Sequence, residues 1–548
     1  MNKRGVVRLF TASGVAVSGL LLSASIASAQ VPSSDGFPGS IPKASCGPTD
    51  HTESGLQGET TVQERFSGDS QTAYNCNLQL VGEEPQDTYQ GAYSQDGPAY
   101  YDVCAYYGTD RGATTGQGIK VIDVSDPQHP TVVTQLIDTP AALAPHETVA
   151  TNAKTRLLVA GQTTGSNFAV YDISDCRHPK LKGQVNASSA SFHHMGAFAK
   201  DGKTYYAAQN GQGIGGFVYI FDLSDPSHPL SLPPWQYLGD GRPHSLTLNS
   251  SSFLPGVPEG ALAFVGQNTS YPYTAGGDGL VIEDVSDYQF RRPNPQIRIL
   301  STAFSPLGGA ESMIQVKIKG HPYIITTDEA GAANGVGGWA AACARGASPF
   351  GFPQIVDVAD VLHPKIISKL RLEVSDPANC AALLAETPPD SPGTAPGTNL
   401  PAISGTTNYS EEACVPDNPE DTKMLACGFQ NAQLRVFDVS DPIHPREIAY
   451  WKSGAIRTKM LPSSGSWALG VDRTVDKIAH WPRWVVANKG NGKANGNNGV
   501  GGGPGNSADI QLWTVSDGHG FQVLQFSKSF TAQHKDLFAN VVTTEQSE

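Results

Sequence analysis

Charge is scarce in this sequence, and what there is leans acidic. Asp, Glu, Lys and Arg make up 16% of the residues, with 37 Lys and Arg against 51 Asp and Glu, for a formal net charge of −14. That balance argues against a phosphate-binding surface, so no nucleic-acid partner is expected. Long apolar runs are missing after the first thirty residues, which excludes a membrane span in the body of the chain. Cys-x-x-Cys does not occur, which disfavours a metal held by sulfur. The Gly-x-Ser-x-Gly nucleophile elbow and His-Glu-x-x-His are also absent. Yet 39% apolar content over 548 residues is ample for a large core, and 59 Gly and 39 Pro show a chain that is frequently interrupted. Length alone suggests about three domains, a prior that repeat architectures break.

The N-terminus reads as an address. Lys3, Arg4 and Arg8 precede an apolar stretch from Leu9 to Ile26, and Ala27-Ser28-Ala29 supplies small residues for a signal peptidase. The stretch is too short and too broken, at Gly14 and Gly19, to be retained as a span. Residues 1–29 are therefore expected to be a signal peptide and the product to be exported, periplasmic or extracellular. Eight cysteines (46, 76, 104, 176, 343, 380, 414 and 427) suit an oxidising compartment. Their connectivity is open by count, with Cys343–Cys380 and Cys414–Cys427 as local pairs that would pin insertions.

One short phrase organises the rest. Ile119-Lys-Val-Ile-Asp123-Val-Ser-Asp126-Pro127-Gln-His129-Pro130 returns around Asp172, Asp222, Asp284, Asp357 and Asp438, and in a drifted form at Thr514. Successive copies lie 49 to 81 residues apart, so the unit takes insertions. Each phrase is a β-branched, alternating strand ending at an Asp/Ser/Pro turn, where the aspartate can accept from backbone N–H groups two residues on. Two strand-like segments precede each phrase and one follows it. Four antiparallel strands, seven times over, predict an all-β, seven-bladed β-propeller. Two closures of the ring are open: either the strand at 77–82 completes the last blade, or 521–526 does and the N-terminal strand adds to it. The expected organisation is an N-terminal extension over 30–75, the propeller over 76–530 with insertions at about 376–420 and 490–506, and a tail over 531–548.

These phrases resemble the LVIVD repeat of bacterial exported β-propeller proteins, over most of residues 76–526. The resemblance implies a propeller and an exported location, and it leaves the chemistry undefined.

Inner strands of successive blades stand side by side around an axial channel, so equivalent positions converge on one mouth. His146 and His194 each lie eleven residues before an apolar second strand, His244 opens a comparable strand, and Glu311 and Glu412 take that place in later units. Three imidazoles and one or two carboxylates suit a divalent transition metal, Zn, Fe or Cu, with coordination positions left open. His193 is placed to support a ligand or act as an acid or base, and Asp328 and Glu329, after an apolar strand, are further candidates for catalysis. The turn histidines (His129, His178, His228, His363 and His444) are expected to be structural or solvent-facing, and the repeated aspartates to terminate strands. Gly211-Gln-Gly-Ile-Gly-Gly216 joins two strands and opens no helix, so it reads as a turn. The expectation is an exported propeller that binds a small-molecule, glycan or protein ligand at its axial face, through a metal held by inner-strand histidines. The alternative is a metal-dependent oxidoreductase or lyase with its metal on the axis.

Overall fold

The computed structural model describes residues 36–84, 98–108, 118–163, 165–187, 192, 196–209, 216–236, 242–268, 278–305, 307–331, 338–385, 409–455, 476–478, 481–487, 509–516 and 518–544, and the structural statements below concern these. The leader at 1–29, His193, His194 and the insertion at 490–506 lie outside them, as do the side chains of His146 and Glu412.

Antiparallel sheets follow one another along the chain as the seven blades of a propeller. The first is Ala99–Tyr101, Cys104–Gly108, Ile119–Asp123 and Thr131–Leu136, paired in that order, so the recurring phrase is the third strand. Period-2 alternation explains why phrase strands are apolar on both faces. In the second blade Leu158, Ala160, Ala169 and Tyr171 pack toward the first blade, while Val159, Phe168 and Val170 pack toward the third. Phe168 stacks on Phe221 of the third blade, with ring centroids 3.9 Å apart.

The turns that end the phrases latch neighbouring blades. Thr134 Oγ1 of the first blade donates to Arg177 O in the second blade's turn at 2.9 Å. Ser301 Oγ of the fourth blade likewise donates to Val361 O of the fifth at 2.5 Å. A Cβ on Gly183, in the outer strand of the second blade, would lie 2.5 Å from Pro226 O of the third blade's turn, so glycine is needed for that approach. Inside each turn the second aspartate accepts from the histidine: His129, His178, His228, His363 and His444 hold Asp126, Asp175, Asp225, Asp360 and Asp441 at 2.9–3.0 Å, with their rings exposed. The first aspartate of six phrases has a basic partner: Asp123 with Arg177, Asp172 with Lys182, Asp222 with Arg291, Asp284 with Arg298, Asp357 with His321 and Asp438 with Arg446. Both sets fasten the backbone, as their recurrence with the turn led one to expect.

Closure uses the N-terminus. Leu78–Glu84 pairs along Gly520–Phe526, which follows the last phrase strand, Asp509–Ser516. The strand after the phrase thus keeps its usual place and the N-terminal strand adds outside it, the second of the two closures. Tyr74–Cys76 extends the sixth blade in the same way, against Arg446–Lys452. At the opposite edge of the seventh sheet, Thr544 N donates to Trp484 O at 3.0 Å, so the C-terminal segment runs beside Arg483–Ala487.

Residues 36–73, within the N-terminal extension, pack as a strap against the sixth blade. The reason lies in the sixth blade, whose strands bury two cations. Arg435 is fully buried and donates to Glu447 Oε1 at 3.0 Å and, across the strap, to Glu53 Oε2 at 3.1 Å. Lys452 Nζ donates to Glu59 O at 2.8 Å and Thr60 Oγ1 at 2.7 Å. Burial alone would raise the Glu53 pKa, but Arg435 and Lys452 hold it down at about 2. Four disulfides complete the frame: Cys46–Cys76 closes the strap, Cys104–Cys176 ties the first blade to the second, and Cys343–Cys380 and Cys414–Cys427 form the two local pairs.

Candidate metal centre at the axial mouth

Register defines one end of each blade as a mouth. In the fourth blade Arg242 lies opposite Asn268, Gln267 opposite Gly279 and Asp278 opposite Ser305. First and third strands therefore begin where second and fourth end. Long connections leave from this side, as between Lys369 and Glu411, Lys452 and Arg483, or Ala487 and Asp509. The opposite side carries the tight phrase turns.

Three inner strands share a defect at the mouth. In Arg242–Leu248 the register shifts between Pro243, opposite Gln267, and Leu246, opposite Val265. In Ala310–Ile318 it shifts between Ala310 and Met313, and in Glu411–Pro416 between Glu411 and Ala413. Each is a β-bulge, an extra residue that breaks alternation and re-aims a side chain. The bulged residues include His244, Glu311 and Glu412, three of the residues singled out in the sequence. The bulge backbone is tightly backed: a Cβ on Gly266 would lie 2.6 Å from Glu311 O.

His244 and Glu311 come together from adjacent blades, and Glu329, which follows His321–Asp328, joins them. His244 Nδ1 is 3.6 Å from Glu311 Oε1, and His244 Nε2 is 3.6 Å from Glu329 Oε1. The His244 side chain is 2% exposed, that of Glu311 10% and that of Glu329 26%, so the Glu329 side is the open one. One ligand atom from each lies within 4.8 Å of the others. Nitrogen and oxygen ligands at about 2.0–2.2 Å on one tetrahedral ion are about 3.4 Å apart, so groups gathered within 4.8 Å could hold a divalent metal. One imidazole and two carboxylates favour a borderline or hard ion and leave at least one coordination position open.

Among the described residues two other groups have metal-like spacing, Cys46 with Asp50 and Cys76, and Glu411 with Cys414 and Cys427. In both the sulfurs are joined to each other, so neither offers a thiolate. The His/Glu cluster is the candidate metal site, buried on one face of the propeller.

Asp328 supports this cluster from beneath. Its Oδ2 accepts from Gly309 N at 3.0 Å, and its Oδ1 accepts from Ala330 N at 3.1 Å and Gly331 N at 2.5 Å. These bonds tie the loop carrying Glu329 to the strand carrying Glu311. Burial nonetheless pushes the Asp328 carboxyl up to about 6, against the pull of those amides. Asp328 N in turn donates to Glu411 Oε2 at 3.4 Å, across the junction of the fifth and sixth blades. Glu411 was not among the sequence candidates. It stands one residue before Glu412, at the bulge between Glu411 and Ala413. His146 opens a 3-10 turn, His146–Thr148, rather than a strand. Counting back from Ala150, opposite Val159, the register position of His244 falls on the buried Glu147. A run of apolar residues gives no sign of that one-residue offset.

The sequence pattern of the LVIVD repeat matches residues 113–137. No curated protein matches the chain. Among solved structures it is similar to the periplasmic gluconolactonase of Pseudomonas aeruginosa, at 12% identity and a TM-score of 0.41, over 83% of this chain and 99% of that one. It is also similar to the WD40 domain of Toxoplasma gondii coronin, at 10% identity and a TM-score of 0.45, over 87% and 93%. A hypothetical selenium-binding protein from Sulfolobus tokodaii matches at 12% identity and a TM-score of 0.42, over 78% and 92%. None of these likenesses bears on chemistry.

Proposed function

We propose that the chain is an exported propeller that holds a divalent transition metal, Zn, Fe or Cu, at its axial mouth, in the cluster of His244, Glu311 and Glu329. The bound ion receives a ligand, a small molecule, a glycan or a loop of another protein, at a coordination position that the cluster leaves open. The observation that carries this reading is the imidazole of His244 set between two carboxylates, Glu311 from a bulge in the adjacent blade and Glu329 from the loop after His321–Asp328. Export rests on the leader-like start and the disulfides; no helix among the described residues is long and apolar enough to cross a membrane.

Elemental analysis of the purified protein tests the reading. Near-stoichiometric transition metal is expected in the wild type and its loss in His244→Ala. A wild type that stays metal-free after incubation with Zn, Fe and Cu salts would refute it. The second reading, a metal-dependent oxidoreductase or lyase, draws on the same open position. Recovery of the bound ligand separates the two: a binding protein returns it unchanged, and an enzyme returns a product.

A further inference from the structure

The two carboxylates of this centre are not equivalent, and we infer that Glu329 ligates the ion beside His244 Nε2, while Glu311 is a positioning residue that holds the Nδ1 proton. The inference rests on the metal reading above and deepens it. An imidazole gives one nitrogen to one ion, yet Glu311 and Glu329 flank opposite nitrogens at the same distance, 3.6 Å. One of them must therefore face the proton-bearing nitrogen once a metal is bound. Exposure decides which. Glu311 is the more buried and sits within a bulge whose backbone is fastened, since Ser245 Oγ donates to Glu311 O and Ser312 N donates to Thr327 Oγ1 at 2.6 Å. Glu329 is the more open and lies where the loop leaves the blade, so an ion and its incoming ligand reach the Nε2 side. A carboxylate behind a ligating histidine fixes the ring and raises its basicity, which is worth about 10- to 100-fold in metal affinity.

Cobalt(II) alone is the probe, because it reports coordination by visible absorption and shifts the proton resonances of its ligands. The wild type is expected to take up one equivalent and to show a shifted, slowly exchanging imidazole N–H resonance. Glu311→Gln, which keeps the shape and a carbonyl acceptor, should retain both the stoichiometry and the resonance with affinity lowered about 10-fold. Glu311→Ala should lose the resonance to fast exchange while still binding cobalt about 100-fold more weakly. Glu329→Gln should fail to hold an equivalent of cobalt at equimolar concentrations. Equal loss of cobalt in Glu311→Gln and Glu329→Gln would make Glu311 a ligand and overturn the assignment. So would an unchanged N–H resonance in Glu311→Ala. Failure of the metal reading itself shows earlier and separately, as no uptake by the wild type.

Discussion

Asp417 provides a test of the electrostatics that is independent of any ligand. It ends the inner strand of the sixth blade and is fully buried. Its Oδ1 accepts from Lys423 N and Met424 N, each at 3.0 Å, while its Oδ2 has no hydrogen-bond partner among the described residues. Burial raises its pKa from 3.8 to about 7. In the unfolded chain the group ionises near the ordinary aspartate value, so between about pH 4 and 7 unfolding releases a proton that the folded protein retains. Stability from this group is therefore full below pH 4 and falls as the pH rises through 7. A difference of about three units at 1.36 kcal/mol each sets an upper bound of about 4 kcal/mol. Asp417→Asn keeps an acceptor for the two amides and cannot ionise. The variant should match the wild type within about 1 kcal/mol at pH 4 and exceed it at pH 8 by up to about 4 kcal/mol. Denaturant unfolding followed by tryptophan fluorescence, from pH 4 to 9, reads the difference between the two proteins, and groups common to both cancel. A difference that does not change with pH would refute the reasoning.

Other expectations concern the frame. Glu53→Gln leaves Arg435 and Lys452 buried with one countercharge fewer; the cost should be about 3–5 kcal/mol, seen as earlier proteolytic release of residues 36–73. Replacing Cys104 and Cys176 by serine frees a loop of 72 residues; the chain-entropy relation puts the loss at about 4 kcal/mol, measured as a lowered unfolding midpoint. Gly183→Ala drives a methyl group into Pro226 O and should cost about 1–3 kcal/mol, detectable by the same denaturation, whereas Gly256→Ala, with open space around its Cβ, should cost only the strain of its positive φ.

The architecture was legible because the phrase states a strand and its stop together. Val121 and Ile122 alternate between two blade interfaces, and Asp123 and Asp126 end the strand by local bonds that short-range spacing encodes. The mouth was legible in part. His244, Glu311 and Glu412 fall at equivalent places, but Glu329 enters the cluster from a loop whose course depends on Asp328 and Gly309, far from any periodic signal. A bulge at Glu411 and a 3-10 turn at Glu147 each shift the register without changing composition, so neither residue could be distinguished from its neighbour. The strap was illegible for another reason. Glu53 looks like any solvated acid until Arg435 is known to be buried 382 positions away.

The pairing of Leu78–Glu84 with Gly520–Phe526 has a consequence for how the molecule comes into being. During synthesis Leu78–Glu84, among the first strands made, must wait for Gly520–Phe526, and its edge stays bare until then. Six sheets can stack as they appear, but the circle is joined only once Gly520–Phe526 has been made. The entropy of bringing such distant segments together grows only with the logarithm of their separation, so the wait is long while the thermodynamic cost is modest. Loss of either Leu78–Glu84 or Gly520–Phe526 therefore removes the seam, and the whole wheel is left able to spring open.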